Sequence, residues 1–310
     1  MGKIQPCART MYLPKFALAA LGLIWGTNFL FMKWASVSLS ATQIVFLRVL
    51  CGFVPVLLFA LAKRALRWQQ LRHIHHFAVM SLLATVIYYY AFAKGSGLLP
   101  SGVAGMLSGA IPLVSALCTW ALLRHEQPTS RMLAGIAFGL AGVVLIAQPW
   151  RVSVAGVSLT GVAYMLLGCV SVGCSFVYAR RYLSGLDMSP LALCTWQIGI
   201  ALAIISALTD FGVIGRVADD PRTLVGTVLG LGVCGTGIAY VIYYYIVGQL
   251  GALTAASVTY IPPVVALMIG AGFAGEPVRP VEIVAACCIV CGVYLLQRRP
   301  SAAGERPSRS

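Results

Sequence analysis

The sequence predicts an all-α polytopic membrane protein, with ten transmembrane helices arranged as two inverted five-helix repeats. Three observations carry that expectation. Apolar residues make up 60% of the chain and charged residues 10%, with a mean hydropathy of +0.90; a soluble chain needs roughly a quarter charged residues to solvate its surface. Apolar runs near the length that crosses the hydrocarbon core, about 20 residues, recur between polar breaks along the whole chain. The two halves also match one another at an offset of about 150 residues.

The elements follow in chain order. Helix 1 is expected over 13–34. Its basic approach resembles a secretory signal, but the apolar run from Leu13 continues past Trp25 to Trp34 without a cleavage site and is long enough to span. Helix 2 (40–61) is closed by a basic stretch from Lys63 to His76. Helices 3 (77–95) and 4 (100–122) follow, and helix 4 ends at Arg124-His125-Glu126. Helix 5 covers 131–148. Helices 6 (158–179) and 7 (190–209) precede a mixed loop from Asp210 to Arg222, and helices 8 (223–247), 9 (252–273) and 10 (280–297) complete the set. The organisation is a tail (1–12), a first repeat (13–148), a linker (149–157), a second repeat (158–297) and a second tail (298–310).

Charge sets the orientation, because loops rich in Lys and Arg stay in the cytoplasm. With the N-terminus inside, fifteen Lys and Arg fall on the cytoplasmic face and six outside, leaving Arg48 within helix 2. Both termini are then cytoplasmic. The net charge of +14 is therefore an orientation signal, and nucleic acid is not expected as a partner. Nine of the ten cysteines sit in or beside apolar runs and read as small packing residues. Cys287, Cys288 and Cys291 lie close together, but no His accompanies them, so neither a metal nor a cofactor is implied.

The repeat is clearest where Pro112, Glu126 and Gly142 recur as Pro262, Glu276 and Gly292. Tyr90 falls opposite Tyr240, Gly26-Thr27-Asn28-Phe29 opposite Gly173-Cys174-Ser175-Phe176, and Lys33 opposite Arg180. Ser40 through Arg48 falls opposite Ser189 through Gln197. Five is odd, so the second copy starts on the other side of the membrane. Such inverted units are common in transporters, where exchanging the two conformations alternates access. The plainer reading is a relic of duplication retained because it packs well.

These residues resemble the drug/metabolite transporter superfamily, specifically ten-helix carriers with two EamA-type repeats, over about Leu21 to Leu296. Ile24-Trp25-Gly26-Thr27-Asn28-Phe29 is similar to that family's first-helix motif. Pro112, then Glu126 with Thr129 and a Gly-rich helix 5, is similar to its end-of-repeat motif. Helix 6 departs from the pattern, with Val172-Gly173-Cys174-Ser175 where the first-helix motif would repeat. The resemblance implies a central cavity lined by helices 1, 3, 4, 6, 8 and 9, with helices 5 and 10 at the periphery. It also implies movement of small metabolites, often amino acids or amphipathic compounds, in a bacterial-type inner membrane.

The candidate site residues follow from cost and position. Arg48 lies about 12 Å of helical rise from the outer end of helix 2, where a charge costs a few kcal/mol and faces a cavity or a partner. It is expected as a gating or structural residue, with substrate contact as the alternative. Asn28 must find a polar partner, protein or substrate. Trp25 shares its helix face, while Gly22 and Gly26 form a small-residue packing face.

Tyr89 and Tyr244, from the clusters Tyr88–Tyr90 and Tyr243–Tyr245, are candidates for an aromatic pocket; other members of those clusters suit an interfacial belt. Ser108, Tyr178, Trp196, Gln197 and Tyr260 complete the candidate cavity. Pro112 and Pro262 are expected to bend or hinge helices 4 and 9. No Asp, Glu or His lies at mid-membrane to relay protons.

The expected function is therefore non-enzymatic transport of a small molecule by a monomer in the bilayer, most simply export of amino acids. A carrier of phosphorylated or nucleotide-linked sugars would want more deep cations than Arg48. A lipid-modifying enzyme would need a cluster of acids, His or a nucleophile with its base. A scaffold would show no flux.

Overall fold

In a computed structural model of the chain, residues 8–122, 130–148, 158–186, 188–212, 214–250 and 257–297 are described, with side chains for all of these but 8–12, 257, 296 and 297. Among them every regular element is helical. The linker, residues 1–7, the tail 298–310, and Glu126 with Thr129 of the first motif lie outside the described residues; residues 8–12, expected as part of the first tail, are instead the first turns of helix 1. Among the described residues eight helices are long and apolar enough to cross a membrane, and helices 9 and 10 contribute the shorter apolar stretches Val258–Phe273 and Pro280–Leu295.

Helix 1 runs Ala8–Ala35 and helix 2 Ala41–Ala62. The start of helix 2 is fixed by a capping box: Ser40 Oγ accepts from the Gln43 N–H, and Gln43 Oε1 accepts from the Ser40 N–H. Helix 3 is entered through a 3₁₀ turn, Trp68–His73, and continues to Leu98. Helices 5, 6 and 7 run Ser130–Ala147, Leu159–Leu183 and Pro190–Leu208. Helix 8 runs Pro221–Leu250. Its cap, Asp220, accepts from the Thr223 hydroxyl and from the N–H groups of Arg222 and Thr223. These bonds hold the Asp220 carboxyl below its usual pKa. Helix 10 runs Pro280–Gln297.

Helix 4, expected as one helix over 100–122, is two: Ser101–Ser108 and Ile111–Leu122. Pro112 has no N–H to give, and its ring crowds the carbonyl four residues back, at Ser108, where the first segment ends. Helix 9 repeats the device. A 3₁₀ turn, Ser257–Tyr260, gives way to Ile261–Phe273, with Pro262 and Pro263 in the opening turn. The two broken helices pack on one another, and at their crossing a Cβ on Gly105 would stand 2.1 Å from that of Ala266.

The packing has two-fold symmetry. Helix 1 lies on 9 as helix 6 lies on 4; helix 2 on 8 as 7 on 3; helix 3 on 6 as 8 on 1; helices 2 and 7, 4 and 9, 5 and 10 pair with each other. The symmetry holds at single residues. A Cβ on Gly142 would fall 2.7 Å from the Ala285 carbonyl, and one on Gly292 2.5 Å from the Gly135 carbonyl; each residue is 150 positions from its counterpart. Exchanging five-helix halves reverses every helix direction, so the axis lies in the membrane plane and the repeats are inverted. Leu13, Phe16, Leu23, Leu58, Phe138 and Phe273 stand exposed around the bundle, an apolar surface suited to lipid.

Candidate functional site

Helices 2, 3 and 8 place the central cluster. Helix 8 winds as a π-helix over Val225–Ile238, and helix 3 does the same over Leu82–Val86. Each wide stretch ends just before the tyrosine-bearing segments Ala239–Leu250 and Ile87–Leu98. Glycines let helices 2 and 8 touch: a Cβ on Gly52 would meet Thr236 at 2.6 Å, and one on Gly232 would meet Cys51 at 2.5 Å.

In that close seam Arg48 Nε donates to Thr236 Oγ1 at 3.0 Å, and the Thr236 hydroxyl donates to the Leu231 carbonyl five residues back. The guanidinium carbon lies 3.8 Å from the centre of the Tyr89 ring, a cation–π contact in a desolvated place. Arg48 is 7% exposed and Tyr89 4%.

The aromatic cluster extends from there. Tyr89 Oη is 3.3 Å from Tyr240 Oη. The Tyr240 and Tyr244 rings stack with centres 6.4 Å apart, and Tyr243 joins Tyr244 to Trp25. On the other side Tyr88 packs between Tyr89 and Phe92, and Phe92 against Phe29. Asn28 enters the same region from helix 1. Its Oδ1 is buried with no hydrogen-bond partner, and it occupies the space that a Cβ on Gly235 would fill, 2.3 Å away. Gly235 precedes Thr236, so the orphan acceptor and the Arg48 anchor abut consecutive residues of helix 8.

Of the sequence-predicted site residues, Trp25, Asn28, Arg48, Tyr89 and Tyr244 thus gather around helix 8. The others are placed elsewhere. Ser108 Oγ donates to the Gly105 carbonyl of its own helix. Gln197 Nε2 donates to Thr85 Oγ1 at 2.9 Å, and the Gln197 carbonyl accepts from Ser81 Oγ, tying helix 7 to helix 3. Trp196 stacks on Phe77 and donates to Gln70 Oε1 at 2.8 Å. Tyr178 Oη lies 2.8 Å from His76 Nδ1, near the basic loop. The Tyr260 hydroxyl is buried without a partner, and Pro112 and Pro262 sit at the breaks already described.

Sequence reasoning missed Thr236, whose signal was a polar residue inside the run Gly235-Thr236-Gly237. It also missed that Glu276, part of the loop motif, reaches helix 4: its carboxylate accepts from the Ser101 N–H at 2.7 Å, and from Ser101 Oγ and the Gly102 N–H at 3.0 Å.

A cavity of about 640 Å³ lies not at this cluster but between the loops that carry Lys63, Arg67 and Ser189. The cluster itself is packed shut, with Asn28, Arg48 and Tyr89 all screened from solvent. Among the described residues no three His, Cys, Asp or Glu side chains gather as a metal site requires.

The sequence pattern of the EamA-like transporter family matches residues 14–148 and 159–298. Among curated proteins, the chain is 27% identical to the "Uncharacterized inner membrane transporter YedA" of Escherichia coli (strain K12), over 92% of this chain and 90% of that one. It is 22% identical to the "Uncharacterized transporter YoaV" of Bacillus subtilis, over 90% and 94%. It is 25% identical to a Streptantibioticus cattleyicolor protein named "Probable terminal-alkyne amino-acid exporter", over 64% and 65%. A protein solved by crystallography shares the fold with a TM-score of 0.54 at 21% identity, covering 92% of this chain and 96% of that one.

Proposed function

This chain belongs to the EamA-like transporter family, and from that premise we propose that it exports amino acids or related amphipathic metabolites by alternating access between its two halves. The setting is the cytoplasmic membrane, with both termini inside, as the Lys and Arg distribution supports, and the monomer is the working unit.

One observation carries the substrate class. Arg48 is a buried cation held by a hydroxyl and a ring face, while the carboxylates among the described residues are engaged or placed elsewhere. Glu276 caps helix 4, Glu282 pairs with Arg279, and Asp210, Asp219 and Asp220 lie in the loop between helices 7 and 8. A buried charge without a counter-ion is costly, and a substrate carboxylate supplies the missing partner with the bidentate geometry that a guanidinium favours. Asn28 Oδ1, unpartnered nearby, accepts from an ammonium group. The tyrosines offer apolar faces and hydroxyls to the rest of an amphipathic molecule. The relative named as an amino-acid exporter supports the same class.

The test is counterflow in proteoliposomes with labelled amino acids and with the matching amines that lack the carboxylate. The expected result is exchange of the acids and not of the amines, with Arg48→Gln slowing flux roughly 10- to 100-fold. Equal exchange of the amines, or wild-type flux in well-inserted Arg48→Gln, would overturn the assignment.

A further inference from the structure

The 640 Å³ cavity between the loops belongs to neither the central cluster nor the seam between the two broken helices. One wall is the connection from helix 2 to helix 3, with Lys63, Arg64, Arg67, Arg72 and His73; the other is the chain at Leu186, Met188 and Ser189. Among the described residues no carboxylate lines it. The single acid of the second wall's loop, Asp187, lies outside the described residues. Four permanent cations around one cavity repel one another unless an anion sits among them.

The groove is built rather than incidental. Gln70 is its hub: Oε1 accepts from the Arg67 N–H at 3.1 Å and from the Trp196 indole at 2.8 Å, and Nε2 donates to the Ala65 carbonyl at 3.0 Å. Three parts of the chain are thereby held in register: the end of helix 2, the 3₁₀ turn and helix 7. Arg64 adopts a left-handed backbone, φ 49°, which is costly for a residue with a Cβ. That turn reverses the chain directly after helix 2 and sets Lys63 and Arg64 on the groove.

Its surroundings are apolar and open. Trp68 is 84% exposed on the 3₁₀ turn, Leu61 55% at the end of helix 2 and Ile74 52% at the start of helix 3. An exposed Trp beside Lys and Arg at a span's end is the signature of the bilayer interface, and basic pockets between spans on the cytoplasmic side take acidic lipid head groups. A site for a soluble anion has no use for an apolar rim.

We propose that this groove binds the phosphate head group of an anionic glycerophospholipid of the cytoplasmic leaflet, with Arg67 and Arg72 on the phosphate and the acyl chains along Leu61, Trp68 and Ile74. The lipid braces the ends of helices 2, 3 and 7.

The test uses the full-length protein in mild detergent, exchanged with mixed phosphatidylglycerol and phosphatidylcholine and read by native mass spectrometry. Wild type retains phosphatidylglycerol in preference. Each cation removed weakens retention about five-fold, so Arg67→Gln with Arg72→Gln weakens it about 25-fold. Arg64→Gly removes a charge and relieves the left-handed strain, so it lowers retention with no loss of thermal stability in lipid-free detergent, which separates lipid binding from misfolding. Equal retention of the two lipids by wild type, an undiminished preference in the double variant, or displacement by free glycerol phosphate as effective as by lipid would each overturn the proposal. The readout is lipid retention, so it stands or falls apart from the substrate assignment.

Discussion

Cys118 on helix 4 and Cys174 on helix 6 hold their sulfur atoms 3.7 Å apart. The seam they cross is the counterpart of the one between helices 9 and 1; Gly173 lies against Ser115 in the first as Gly26 lies against Val265 in the second. In a carrier with inverted halves, opening one side means parting one of these seams while its mirror stays closed.

The pair is therefore a built-in latch for testing the cycle. A disulfide needs about 2.05 Å between sulfurs, so oxidation with diamide should join the two helices after a small approach. Flux is expected to stop and to return with dithiothreitol, while Cys118→Ser is insensitive. Unchanged flux in fully cross-linked protein would mean that this seam stays shut throughout transport.

Helices 5 and 10 should be intolerant of a single methyl group at two matched positions. At Gly142 and Gly292 an added Cβ would lie 2.7 and 2.5 Å from backbone carbonyls, so alanine forces backbones apart, at about 1–3 kcal/mol each. Gly272→Ala is the control, because nothing stands within 4 Å of its Cβ position; it should be neutral or stabilising by up to about 1 kcal/mol. Thermal melts in detergent decide, and equal melting of all three variants would contradict the packing.

Glu276 acts as a cap supplied by a distant loop. Its carboxylate accepts two backbone N–H bonds and a hydroxyl at the start of helix 4, where the helix dipole favours negative charge. Glu276→Ala should cost about 2–3 kcal/mol and Glu276→Gln less, since the amide oxygen still accepts. Hydrogen exchange should then rise first at Ser101 to Ala104; uniform exchange across the bundle would contradict a local role.

The inverted arrangement makes a topological prediction. With cysteines introduced at Arg64 and Arg216 in a background free of other cysteines, an impermeant maleimide applied to intact cells should label only the second. Labelling of both from the same side would dismantle the inverted-repeat assignment.

Several features were legible because they are local. Gly22 and Gly26 were read as a packing face, and an added Cβ at each would overlap Ile261 and Val265 of helix 9. The depth of Arg48 followed from counting residues into an apolar run. Its partner did not: Thr236 lies 188 residues away, and nothing in the spacing says which face of helix 8 turns toward helix 2. The π-helical stretches that rotate the tyrosine segments were equally hidden, because an apolar, Gly-rich run reads the same at either helical pitch. Trp196 and Gln197 were read as further candidates for the cavity, and their contacts with Gln70 and Thr85 in the helix 3 region are visible only in the folded bundle.

Hydropathy and the internal repeat by themselves determined that the chain crosses as ten helices in two matched sets, since lipid offers no hydrogen bonds and helices must satisfy their own backbones. Tertiary structure alone decided which faces meet. Inside a bilayer an apolar side chain gains little by leaving lipid for protein, so helices choose neighbours by shape and by the few polar bonds within reach. Glycine notches, proline breaks and the Arg48–Thr236 bond act between residues far apart in the chain, and only the folded bundle brings them together.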